Sequence, residues 1–75
     1  MDWRTRIEVN PTVLVGKPVI KGTRIAIEFI LELLAQDWPE ARILENYPQL
    51  KHEDILAALH YSAALLKEEA AYSLP

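Results

Sequence analysis

The chain has 75 residues, 51% of them hydrophobic and none of them cysteine, and carries a net charge of −3. A chain this short buries only about 60% of its unfolded surface, so the expectation is one small domain that gains stability by covering surface with a second copy or a partner. Without cysteine there are no disulfides, Cys-ligated zinc sites or iron–sulfur clusters, which fits a reducing compartment.

No apolar run reaches the roughly 20 residues that a membrane span requires. The opening MDWRTRIEVN also lacks the apolar stretch of a signal peptide. The expected location is therefore cytoplasmic, with no membrane contact. Charge is unevenly placed. Up to Arg24 there are five cations against two carboxylates, a balance of +3, and from Ile25 onward three cations face nine carboxylates, a balance of −6. A basic arm on an acidic body places any polyanion contact on the arm, although small charge blocks also simply solvate a surface.

In chain order, RIEVN alternates apolar and polar residues and ends at Asn-Pro, which predicts a short strand over 6–9. TVLVGKPVIKG is punctuated by Pro11, Gly16, Pro18 and Gly22 and reads as a loop with short extended pieces. Arg24–Ala26 is a candidate second strand, pairing with the first or with a partner chain. IEFILELLAQ places Ile27, Ile30, Leu31 and Leu34 on one stripe and Glu28, Glu32 and Gln36 opposite, the pattern of an amphipathic helix.

Pro39 suits the first position of a second helix, which carries Ile43, Leu44 and Tyr47 inward and stops before Pro48. A third helix starts near Lys51 or His52 and runs toward Ala71, with Glu53 and Asp54 against its positive N-terminus. It is apolar on two faces, one carrying Ile55, Leu59, Ser62 and Leu66, the other Ala58, Tyr61, Leu65 and Tyr72. One face would meet the chain's own core and the other a second chain, giving a homodimer. The division is residues 1–26 as a basic extended arm and turn, and 27–72 as a helical bundle, within a single domain of 75 residues.

The stretch GKPVIKGTRIAI, with its glycines and cations, raises the question of a nucleotide cradle. A phosphate-binding loop needs Gly, four residues, then Gly-Lys-Ser/Thr. Five residues beyond Gly16 stands Lys21, and Gly22 is followed by Thr23, so spacing and order both fail. What remains is a Gly-Thr-Arg turn before a helix, where Thr23 either caps local backbone or joins Lys17, Lys21 and Arg24 in gripping an anion. Ser62 and Ser73 lack the setting of a nucleophile, and adjacent Glu53 and Asp54 point in different directions on a helix. No catalytic residue, metal site or cofactor is expected.

The second helix, a break at 48–50 and the third helix have the order and lengths of a helix-turn-helix. Its would-be recognition helix opens with Glu53-Asp54, which phosphates repel, so Lys51, His52 and the basic arm would have to supply the phosphate contacts.

GKPVIKGTRI followed by ILELLAQ, ILENYPQL and EDILAAL resembles the bacterial and archaeal family known as domain of unknown function 433, from about Ile7 to Leu66. The signature positions are Gly16, Lys17, Pro18, Gly22, Thr23, Arg24 and Ile25, then Tyr47-Pro48, Leu50 and Asp54-Ile55. The resemblance implies a mainly α fold, a small three-helix homeodomain-like helix-turn-helix bundle with a short N-terminal extended or β segment. It further implies an antitoxin of a type II toxin–antitoxin pair that covers a PIN-like ribonuclease and represses its own operon by binding operator DNA. Two departures stand out: Asp37-Trp38-Pro39-Glu40 replaces the usual Gly-x-Ser/Thr-Pro-Glu, and Lys51 replaces the usual Ser or Thr cap of the third helix. Asp37 is a possible substitute cap for the second helix. Candidate DNA contacts are Lys17, Lys21, Thr23, Arg24, Lys51 and His52; candidate partner or dimer contacts are Arg24, Ala58, Tyr61, Leu65 and Tyr72. Arg24 and its neighbours, or Lys67 near the C-terminus, are the candidate cations for a nuclease's carboxylates. The competing reading is a dimeric protein-interaction module that never touches nucleic acid.

Overall fold

The computed structural model describes residues 1–73, with side chains as far as Glu68. A 3-10 turn over Trp3–Arg6 leads into strand β1 (Ile7–Val9), and a second 3-10 turn over Leu14–Gly16 precedes strand β2 (Pro18–Ile20). Three helices follow: α1 (Ile27–Ala35), α2 (Glu40–Asn46) and α3 (His52–Ser73). The architecture is mainly helical with a small antiparallel β-ribbon at its N-terminal end.

β1 pairs with β2 in the register Ile7↔Ile20, Glu8↔Val19 and Val9↔Pro18. This corrects the expected pairing. Arg24–Ala26 contributes only an isolated bridge, Val19↔Ala26, and the second strand is instead one of the short extended pieces expected within the preceding loop. Pro18 is tolerated because it is the first residue of its strand, where a missing N–H need not break the ladder.

The ribbon enters α1 through a type II turn over residues 20–23. Thr23 N–H donates to the Ile20 carbonyl at 3.0 Å, and Gly22, the third turn residue, has φ +81°. That is the position where a type II turn requires a left-handed residue, so glycine is there for its missing Cβ.

α1 buries Ile27, Ile30 and Leu33, while Leu31 and Leu34 are half-buried. It ends in a Schellman motif: Trp38 N–H bonds the Leu33 carbonyl and Asp37 N–H bonds that of Leu34, both at 3.0 Å. Asp37 has φ +67°, so it occupies the left-handed position beyond the helix, where glycine is favoured. This overturns the suggestion that Asp37 caps α2. That helix has no side-chain cap, and Pro39 stands at its N-cap, one residue earlier than expected.

The core gathers Ile20, Ile25, Ile27, Ile30, Leu33, Ile43, Leu50, Ile55 and Ala58. Phe29 meets the ring of Tyr47 edge-on at 5.4 Å between centroids, tying α1 to the end of α2. The N-terminal segment is not an extended arm. Its first turn packs along α3: the Trp3 indole stacks on His60 at 6.3 Å and meets Tyr61 edge-on at 6.2 Å.

That placement reverses the expectation for the two faces of α3. Ala58 is fully buried and Tyr61 is half-buried against Trp3, so the first part of the face assigned to a second chain is covered from within the chain, while Leu65 farther along is 46% exposed. On the face assigned to the core, Ile55 is buried, but Leu59 is 45% and Leu66 64% exposed. No described helix is long and apolar enough to cross a membrane.

Candidate anion cleft and exposed helix face

Between the first turn, the end of β2 and the start of α3 lies an open cleft of roughly 330 Å³. Its polar lining comes from Thr5, Arg6, Lys21, Gln49, Lys51 and Asp54. It joins three cations that stand far apart in the sequence.

Asp54 organises this junction. It is 3% exposed, and a buried carboxylate is stable only when its oxygens are met by donors. Both are: Arg6 Nε donates to Oδ1 at 2.7 Å and the Lys51 backbone N–H donates to Oδ2 at 2.9 Å. The Lys51 carbonyl receives the first N–H groups of α3, those of Asp54 and Ile55. Lys51 is therefore the N-cap and Asp54 the third helical residue, reaching back as the acidic member of a capping box. Lysine cannot supply the other half, so one orphan donor of α3 loses its usual side-chain partner. The hydrogen bond to Asp54, with the added fields of Asp54 and Glu53, holds the Arg6 guanidinium above its ordinary pKa.

The candidate DNA contacts separate into groups. Lys21 and Lys51 share the cleft, both exposed and, among the described residues, without an ion pair. Lys17 is on the other side of β2, paired with Glu28, whose hydrogen bond and charge raise its pKa. Thr23 has no hydroxyl proton left to offer: Oγ1 donates to the Ile20 carbonyl at 2.7 Å and accepts from Ile25 N–H at 3.0 Å. Its role is to close the turn. His52 Nδ1 lies 2.8 Å from both Glu40 carboxylate oxygens, tying the start of α3 to the start of α2. Arg24 is exposed and makes no ion pair among the described residues.

Of the candidate partner contacts, Ala58 is fully buried and belongs to the core. Tyr61 is engaged by Trp3, and Leu65 is 46% exposed. The side chain of Tyr72 lies outside the described residues. The exposed apolar stripe of α3 instead runs through Leu59, Ala63 and Leu66, spaced i, i+4, i+7, with Leu65 beside it. Arg6 was missed by sequence reasoning. The signal available was Asp54 three residues after the cap position, a carboxylate fixed where a cation would be drawn to it.

Among curated proteins none matches the chain. A crystal structure at 2.00 Å of a DUF433 member protein from Anabaena variabilis superposes with a TM-score of 0.77 and 33% identity, covering 84% of this chain and 62% of that one. The chain thus spans less than two thirds of that protein's length. The family model described as "Protein of unknown function (DUF433)" matches residues 7–62, from β1 to the exposed stretch of α3, and the chain belongs to that family.

Proposed function

We propose that this chain is the antitoxin of a type II toxin–antitoxin pair, a binding protein rather than an enzyme, acting in the cytoplasm. It covers a PIN-like ribonuclease with the projecting part of α3. As a homodimer it holds operator DNA through a helix-turn-helix formed by α2, the break at 48–50 and α3. The observation that carries the reading is the stripe Leu59, Ala63 and Leu66, exposed just where α3 leaves its own core. A regularly spaced apolar seam on a helix is what a partner's groove receives. Arg24, exposed and without an ion pair among the described residues, supports the reading as the cation for the nuclease's metal-binding carboxylates.

The test is co-expression with any PIN-like ribonuclease found encoded beside it. The wild-type chain should restore growth and co-purify with the enzyme, and Leu59→Glu/Leu66→Glu should do neither while keeping its helical circular dichroism. Rescue by that variant as complete as by wild type would refute the assignment of α3 to the toxin. Arg24→Ala should weaken neutralisation without loss of folding.

A second reading, a dimeric interaction module indifferent to nucleic acid, is favoured by one feature: exposed Glu53 follows directly on the start of α3, where phosphates would be repelled. Light scattering of the purified chain with and without its upstream DNA, at low and physiological salt, separates the two.

A further inference from the structure

We propose that the cleft between the first turn and the start of α3 is an oxyanion site that takes one phosphate group, held by Lys21, Lys51 and the outer edge of Arg6. Three observations combine. First, the fold brings three cations from positions 6, 21 and 51 to one cleft of roughly 330 Å³. Second, the carboxylate that lines it has a protein donor on each oxygen, Arg6 on one and the Lys51 backbone on the other, so its charge is partly compensated. Third, Arg6 spends only Nε on Asp54, and among the described residues its terminal nitrogens donate to no protein acceptor. A guanidinium pinned through Nε presents its remaining N–H groups in a fixed direction, as phosphate recognition requires.

Asp54 offsets one of the three cations, and the field of Glu53 also reaches Arg6. The surplus that attracts an anion is therefore that of Lys21 and Lys51. Gln49, also in the lining, offers an amide. The Thr5 hydroxyl is committed to the Asp2 carbonyl at 2.8 Å and adds no donor. This inference deepens the DNA half of the proposed function and rests on it only for the source of the phosphate.

The experiment titrates the isotope-labelled full chain by NMR with sodium phosphate against sodium chloride at matched ionic strength, then with a short random-sequence DNA duplex. Lys51→Ser with Lys21→Gln is the test variant; both side chains are exposed, and serine at 51 restores a helix cap, so folding is retained. Lys67→Gln, farther along α3, is the control. Phosphate should shift the amides around Lys21 and Lys51 in wild type and control, and not in the test variant. The salt slope for duplex binding should fall by roughly one in the test variant, because the two lysines hold one phosphate between them. Cleft amides that respond to phosphate no more than to chloride would overturn the site. A cleft that binds phosphate while the duplex does not bind at all would uphold the site with free phosphate as its source and remove the DNA reading.

Discussion

Replacing Asp54 by alanine tests the junction on which the cleft is built. The carboxylate is 3% exposed and accepts two bonds, one of them from a charged donor, from residues 48 positions away and three positions away. Loss of a helix-cap bond costs about 1 kcal/mol. Removal of a buried acceptor with a charged donor raises the total, but Arg6 keeps 29% of its side-chain surface, so solvent screens part of the pair. The expected loss for Asp54→Ala is about 2–3 kcal/mol. A domain of this length has about 4–11 kcal/mol in all, so the variant should remain folded with its melting temperature lowered by about 10–20 °C. Urea unfolding followed by circular dichroism reads the loss. Asp54→Asn, which keeps one acceptor oxygen, should fall between alanine and wild type, and Arg6→Gln combined with Asp54→Asn should cost less than the separate losses added. Wild-type stability for Asp54→Ala, or additivity in the double variant, would show that the first turn is not anchored through this pair.

Lys51→Ser restores the missing half of the capping box and should stabilise the domain by about 1 kcal/mol, seen as a higher urea midpoint. Thr23→Val leaves the Ile25 N–H and the Ile20 carbonyl without their side-chain partner and should cost about 1–3 kcal/mol, measured the same way. Trp3→Ala removes the cover from Tyr61 and His60 and should cost about 2 kcal/mol, read from the urea midpoint; with Trp3 kept and Trp38→Phe as the only change, Trp3 emission at the wavelength of a free indole would contradict the packing. Asp37→Gly relieves a left-handed residue at φ +67° and should raise stability by about 0.5–1 kcal/mol, read from the thermal midpoint.

The helices were legible because their information is local. The spacing of Ile27, Ile30 and Leu34, the start at Pro39, the stop at Pro48 and the acidic start of α3 each act within one turn of their own helix, and all three helices stand within a residue or two of expectation. β2 was hidden because Gly16 and Pro18, which ordinarily mark loops, flank or begin it. The fold-back of Trp3 onto His60 and Tyr61 could not be read, since a contact across nearly 60 residues leaves no periodic trace. With it went the assignment of the faces of α3. An apolar stripe says only that something covers it, and the chain's own N-terminal turn took Tyr61 from the face that had been assigned to a partner. Lys21 and Lys51 were both singled out, but separately. Their meeting depends on the ribbon register and on Arg6 reaching Asp54, neither of which is written in the spacing of the lysines.

The same fold-back changes how an anion would be recognised. A loose basic arm would give its cations freely to any polyanion and lose conformational entropy as it settled. Here the arm is consumed in folding: Arg4 is near Asp2, Arg6 is fixed by Asp54 and Lys17 is matched by Glu28. Of its five cations only Lys21 and Arg24 remain uncommitted among the described residues, and Lys21 is joined by Lys51 from the helix start. Positive charge is thereby concentrated at one preorganised place on an otherwise acidic molecule. Such an arrangement favours contact with a single phosphate in a defined register over diffuse attraction. It also makes stability and anion binding share residue 51: lysine there forfeits a helix cap, and the cation it supplies instead is the one the cleft requires.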